Sequence, residues 1–293
     1  MDQPLKTSAR ALIAGCGDIG LRLARRLLQQ EAGEVTALLR DREKGAAFTA
    51  LGARVAWMDL DAPENVGDWP LLFWLAPPPA QGEGDSRLRG WLAAQRGHIA
   101  RVVLISTSGV YGDCGGRWID ETEPLKPQSA RARRRVDAES ALQAWCSARG
   151  SAAVILRVPG IYGAGRLPVQ RLARGMTVVA PEAAPWSNRI HAEDLVTALM
   201  LAGARAPAGR VYNVSDGHPS SISDYFVQCA RALGLPLPQF VDMAGARTQM
   251  SAEMLSYLAE SRRLKTGRIQ AELGFVPQFG DLAHGLAASL TAE

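Results

Sequence analysis

The run Ala11-Leu12-Ile13-Ala14-Gly15-Cys16-Gly17-Asp18-Ile19-Gly20 constrains this chain more than any other. A short apolar segment stops at glycines spaced G-x-G-x-x-G, and an amphipathic segment, 21–30, follows at once. That order is strand, tight turn, helix. Gly15 permits the turn, Gly17 lets a pyrophosphate approach the backbone where no Cβ stands, and Gly20 lets the helix pack closely on the strand. The first amides of the helix then face the phosphates, with the helix dipole behind them. Between a strand and a helix the motif predicts dinucleotide binding through Gly15, Cys16, Gly17, Asp18, Ile19 and Gly20; alone it would indicate only a Gly-rich turn.

Further apolar runs of strand length recur at 35–39, 55–57, 71–75, 102–105, 154–158 and 211–214, with helical patterns at 43–51, 91–99, 136–149 and 192–202. Strands alternating with helices give βαβ units and a parallel sheet, and continuously apolar strands are covered on both faces. The expected fold class is α/β, a Rossmann-type doubly wound parallel sheet with a smaller C-terminal substrate lobe. Residues 8–162 form the dinucleotide-binding domain, with 188–215 completing its sheet; 163–187 and 216–293 form the lobe. Helices are expected there at 251–258 and 269–273. Ala76-Pro77-Pro78-Pro79 and 81–86 read as a flexible loop, because Pro and Gly break both regular patterns.

Composition limits the alternatives. At 293 residues and 47% hydrophobic, the chain can bury a substantial core. A net charge of +4 suits an anionic cofactor but is too small and scattered to predict a nucleic-acid partner. No apolar run reaches membrane-spanning length, and Met1-Asp2-Gln3-Pro4 lacks a signal-peptide pattern. Cys16, Cys114, Cys146 and Cys229 lie far apart, which predicts reduced thiols in a cytoplasm. The four histidines show no metal-ligand spacing, so no metal is expected.

With the glycine turn placed, other segments resemble, in order, the extended short-chain dehydrogenase/reductase family, also called the NAD-dependent epimerase/dehydratase family. Ser106-Thr107-Ser108-Gly109-Val110-Tyr111-Gly112-Asp113 is similar to that family's active-site strand end, and Arg157-Val158-Pro159-Gly160-Ile161-Tyr162-Gly163 to the beginning of its substrate lobe. Asn188-Arg189-Ile190-His191-Ala192-Glu193-Asp194, Val211-Tyr212-Asn213-Val214-Ser215-Asp216 and Leu273-Gly274-Phe275-Val276-Pro277 resemble later landmarks. The resemblance spans about residues 10–280 and implies a nicotinamide cofactor, a small polar substrate and a homodimer built through two helices.

One departure matters more than the matches. The family's catalytic Tyr and Lys stand four residues apart before a pattern that here reads Val136-Asp137-Ala138-Glu139. Counting back, the Lys position is Arg135 and the Tyr position is Arg131. Arg135 can still donate to a ribose hydroxyl. Arg131 cannot shuttle protons near neutral pH, because a guanidinium stays charged.

The resemblance implies the remaining sites, each with a plainer alternative. Arg40 ends the second strand, where an acid would select NAD and an arginine accommodates the 2′-phosphate of NADP; Arg42 would assist, and Asp41 is the rival for an NAD site. NADP is the expected cofactor, with NAD the alternative. Asp59 would meet the adenine or cap a turn. Leu75, Ala76 and Pro77 would line the cofactor or simply end a strand. Thr107 would hold a substrate oxygen, or bond its own backbone. Tyr111 and Tyr162 would replace the acid/base or support loops, and Arg131 would supply the nearby cation or bind an anionic substrate. The cluster of Arg131, Arg133, Arg134 and Arg135 is otherwise a solvated helix face. His191 reads as a packing residue and Asp194 as a first-turn helix acid. Specificity is expected from loops at 163–171, 180–188 and 240–251. The reading is an oxidoreductase or epimerase/dehydratase-like enzyme with nonstandard proton transfer. Its rival is a dinucleotide-binding sensor without turnover.

Overall fold

The computed structural model describes residues 10–30 and 33–291; the segment read for a leader, and the first residues of the expected dinucleotide-binding domain, lie outside them. Seven parallel strands form the central sheet. In chain order they begin β1 (Ala11–Ala14), β2 (Val35–Leu39), β3 (Arg54–Trp57), β4 (Trp69–Trp74) and β5 (Ile99–Thr107), followed by Ala152–Val158 and Arg210–Asn213. Across the sheet the order is Arg210–Asn213, Ala152–Val158, β5, β4, β1, β2, β3. Chain order reverses between β1 and β4, and a doubly wound sheet binds ligands at that switch, outside the strands' carboxyl ends.

Period-2 geometry explains why the strands are apolar throughout. Ala11, Ile13, Leu71, Phe73, Val103, Val154 and Leu156 face one layer, containing α1 (Asp18–Gln29), α2 (Arg42–Ala50) and the helix Ala192–Arg205. Their neighbours Leu12, Ala14, Leu72, Trp74, Val102, Leu104 and Ile155 face the other, formed by α3 (Ser86–Ala94) and α4 (Ala130–Arg149). On α1 the buried positions Ile19, Leu23 and Leu27 recur every four residues, which makes one helix face.

The segment expected as a helix over 91–99 is placed differently. The Asp85 side chain caps the Leu88 amide and starts α3 earlier. The helix stops at Ala94, Gln95 is extended and turns its side chain inward to Val66 and Glu64, and Ile99 opens β5. Helix α4 also begins before residue 136, because Ser129 caps it, so the arginine cluster is helical. Within 188–215, Arg210–Asn213 joins the main sheet, whereas Arg189–His191 pairs with Gly160–Tyr162 in a separate ladder. Around that ladder, Tyr162, Leu172, Val178, Tyr225, Phe226 and Leu286 build a second core.

A buried polar cluster joins the layers. Arg157 Nη2 donates to Glu139 Oε2 at 2.8 Å, with both side chains almost fully enclosed. Ser106 donates to the same carboxylate. Arg157 Nη1 reaches the Tyr111 hydroxyl at 2.9 Å, and that hydroxyl donates to Asn213 Oδ1 at 2.7 Å. Removing one member of such a pair strands a charge in the interior. Glu139→Ala should therefore lose about 3–5 kcal/mol of stability, measured by denaturant unfolding, whereas apolar replacement of both Glu139 and Arg157 should recover much of it.

Candidate active site

The glycine turn has the geometry its spacing demands. Gly15 has φ +95°, and a Cβ there would lie 2.2 Å from the Ala76 nitrogen. No side chain therefore fits between β1 and the end of β4. A Cβ on Gly20 would stand 3.0 Å from the Gly15 carbonyl. At Gly17 a Cβ would meet nothing within 4 Å, so this backbone faces open space. Gly17 also caps α1 without any side-chain hydrogen bond, which leaves the first helix amides for an anion. The residues present thus fit a dinucleotide. Cys16 is buried against the Ile13 carbonyl, and burial pushes its thiol up to about 12, so it serves packing. The Asp18 carboxylate is held away by Arg22 at 2.8 Å and Arg166 at 3.0 Å, which leaves its amide as its contribution to the turn. Arg22 also donates to Glu193 and to the Ala164 carbonyl.

Arg40 and Asp59 meet at the ends of β2 and β3, 3.6 Å apart and solvent-exposed. Asp41 accepts the Glu43 amide and caps α2. Arg42 stacks on Trp57, 5.1 Å from its ring centroid. Ala76 is buried; its carbonyl accepts from Arg135 Nη1 at 3.3 Å, and the Pro77 carbonyl accepts from Arg87 at 2.7 Å. With no amide hydrogen at Pro77, this strand end offers only its carbonyls and apolar surface.

A cleft of about 960 Å³ opens beside this edge. Thr107, Arg131, Arg135 and Pro77 all line it, four positions brought together from β5, α4 and the loop after β4. Thr107 Oγ accepts the Gly109 amide at 3.2 Å and caps the turn Ser108–Tyr111, which leaves its own proton free to donate. Arg131 and Arg135 are four residues apart and share one helix face. Withdrawal from solvent lowers the Arg135 guanidinium to about 10. Arg133 lies off the cleft and holds Glu83, while Arg134, at the cleft wall, donates to the Gly82 carbonyl; both pin down the proline-glycine loop.

Two expectations fail. Tyr111 is buried, its hydroxyl is committed to Asn213 and Arg157, and burial pushes it up to about 12; it does not reach the cleft as a catalytic group. Tyr162 is fully buried and cannot touch substrate: its hydroxyl has no partner and abuts Gly285, and burial raises its pKa. The apolar positions flanking both tyrosines drew them into cores. Of the five tyrosines, Tyr225 and Tyr257 line the cleft; Tyr225 is buried, whereas Tyr257 is 43% exposed, with the Arg131 guanidinium 3.9 Å from its ring centroid. Sequence reasoning gave no role to Tyr257 or to Arg189 and Arg262, which also line the cleft, and reached Arg171 only as the end of an expected specificity loop. The arginine at 189, set in an otherwise buried strand, was the available signal.

Two buried groups behind the cleft oppose each other in pH. His191 Nδ1 caps the helix Ala192–Arg205 at the Glu193 amide, and burial lowers the imidazole to about 4. Asp216 accepts the His218 amide at 2.9 Å, yet burial pushes its carboxyl up to about 7 against the pull of that bond and of Arg189. The depressed His191 favours the fold above its unfolded value, and that contribution is lost as pH falls toward 4. The raised Asp216 favours it at acid pH, and that contribution is lost as pH rises through about 7. Relative to the wild type, Asp216→Asn should flatten the loss of stability on raising pH from 4.5 to 7.5. His191→Asn should flatten the loss on lowering it. Denaturant midpoints across that range check both.

Known proteins share this architecture. The NAD dependent epimerase/dehydratase family profile matches residues 83–215. Protein YeeZ of Escherichia coli K12 is 32% identical over 184 residues, 62% of this chain, and the chain spans 60% of YeeZ's length. A functionally unknown conserved protein from Silicibacter pomeroyi superposes with a TM-score of 0.80 at 31% identity, covering 97% of this chain and 98% of the other. UDP-glucuronic acid 4-epimerase from Bacillus cereus, solved in complex with NAD, gives 0.77 at 18% identity over 96% and 97% and shares the fold. No described helix is long and apolar enough to cross a membrane. Over residues 83–215 the chain matches the NAD dependent epimerase/dehydratase family, and as a whole it shares the fold of a solved epimerase.

Proposed function

We propose that this protein is an NADP(H)-dependent oxidoreductase or epimerase-like enzyme acting on a small polar metabolite, with proton transfer arranged differently from its family. The observation that carries the reading is the uncapped glycine turn, open at Gly17, on the same sheet edge as Thr107 and Arg135. Arg40 favours the 2′-phosphate, and Asp41, the rival, is engaged as a helix cap. Asp59 flanks the adenosine end beside Arg40. Arg135, tied to the Ala76 carbonyl, has further N–H groups for ribose hydroxyls.

A bound nicotinamide supplies hydride transfer to or from a substrate carbon. The chain's own part is to orient the substrate and manage the proton. Thr107 donates its free hydroxyl proton to a substrate oxygen. Arg131 holds charge but moves no proton. Tyr257, under that guanidinium, is the tyrosine placed to exchange a proton with a ligand in the cleft. Residues 163–187 and 216–293 act as the substrate lobe, supported by the cleft positions Arg171, Trp186, Tyr225 and Tyr257. The arginine in the tyrosine slot also favours a second reading, a dinucleotide sensor without turnover, which a search for any oxidation or reduction of bound cofactor separates from the first.

Fluorescence titration with NADPH and NADH side by side tests the reading. NADPH should bind at least about tenfold more tightly, the scale of one charge-assisted contact. Arg40→Gln should erase the difference, and Gly17→Val should weaken both. Tighter NADH binding would reassign the cofactor, and no binding of either would remove the enzyme and the sensor together.

A further inference from the structure

The cleft wall is strongly cationic. Six arginines line it (Arg131, Arg134, Arg135, Arg171, Arg189 and Arg262) against two acids, Glu253 and Glu260, and Glu260 is already paired with Arg262 at 2.7 Å. Elsewhere some arginines are matched by carboxylates, as Arg87 is with Asp61 at 2.7 Å, Arg89 with Asp137 at 2.6 Å and Arg117 with Glu123 at 2.8 Å, while others, such as Arg42 on Trp57 and Arg149 on Trp145, lie on exposed or half-buried rings. Three cleft arginines lie over aromatic rings that face the cleft. Arg131 stands 3.9 Å from the Tyr257 centroid, Arg189 4.5 Å from Tyr225, and Arg171 5.5 Å from Phe226.

Arg189 is the sharpest case. It is only 6% exposed, and among the described residues no carboxylate lies within 4 Å of its guanidinium. Its Nη1 donates to Ser187 and to the Asn188 carbonyl, both neutral. Burial lowers its pKa, with Asp216 acting from further off. A buried cation without a counter-charge is costly, and a site retains one where a ligand supplies the charge. An aromatic face fixes the plane of a guanidinium and leaves its N–H edges free, the geometry that meets a carboxylate or phosphate bidentately.

We propose that the cleft is a receptor for a ligand with two separated oxyanion groups, one received by Arg131 in the slot where the family carries tyrosine, the other by Arg189. Calling that ligand the substrate rests on the function proposed above; the receptor itself does not. Arg131 stands on α4 and Arg189 in the ladder with Gly160–Tyr162, whereas both rings come from the C-terminal segment, so the two guanidinium–ring pairs join separate parts of the chain at one cleft. The cleft's volume admits a ligand longer than a single charged group.

Calorimetric titration of the full chain with inorganic pyrophosphate, citrate and UDP tests this, with NADPH titrated in parallel. At least one of the three anions should bind, more weakly as salt is raised. Arg131→Gln, at a partly exposed position, and Arg189→Lys, which keeps the charge but not the fork, should each weaken binding about tenfold or more, whereas Gly17→Val should leave it unchanged. Circular dichroism confirms that each variant is folded; were Arg189→Lys unfolded, Arg131→Gln alone would decide. Preference for pyrophosphate, citrate or UDP assigns the anion to a phosphate, a polycarboxylate or a nucleotide, and each supports the receptor. Failure of all three to bind overturns it. So does binding that survives Arg131→Gln but is lost in Gly17→Val, which would assign the anion to the glycine turn. Anion binding without NADPH binding would leave the receptor standing and remove the proposed enzyme.

Discussion

The Glu139 carboxylate holds the cleft's framework in register. It sits inside α4, accepts from Ser106 near the end of β5 and from Arg157 in the neighbouring strand, and through Arg157 reaches Tyr111 and Asn213. Four elements thereby meet at one buried charge pair: a helix and three adjacent strands. Thr107 follows Ser106 directly, and Arg135 lies one helical turn before Glu139. The distances among the cleft groups are consequently set by a polar interior cluster rather than by the cleft surface. A single surface replacement therefore alters cleft chemistry more readily than cleft shape.

That separation of shape from chemistry makes an arginine at 131 understandable. The frame does not depend on Arg131, which leans on Tyr257; none of the Glu139 contacts passes through it. What residue 131 decides is the sign and mobility of charge at that point. A phenol can give up a proton near neutrality if a cation assists; a guanidinium cannot, but it grips an oxyanion that a phenol would hold weakly.

Much of this was legible in the sequence, for physical reasons. The doubly wound sheet follows from continuously apolar strands, and the glycine turn from residues that need positive φ or contact without a Cβ. The positions of Thr107, Arg131 and Arg135 followed from helical spacing and motif order. The tyrosines were not legible. Tyr111 and Tyr162 stand in Tyr-Gly pairs next to cleft segments, yet the chain turns both rings inward, and only tertiary packing decides that. Tyr257 and Arg171 carry no local pattern at all, because they enter the cleft from segments remote in sequence. The helix boundary near residue 95 was hidden for a similar reason: Gln95 is a good helix former whose side chain finds better partners at Val66 and Glu64.

Arg22 ties together three regions that are remote in sequence. It joins Asp18 at the glycine turn, the Ala164 carbonyl just past the second core's ladder, and Glu193 at the start of a long helix. A displacement of residues 163–166 would remove Arg166 from Asp18 and free Arg22 from the Ala164 carbonyl, leaving Asp18 paired with Arg22 alone at the first turn of α1. Movement of that short segment would thus change the electrostatic field at the first amides of α1 without any change in the sheet.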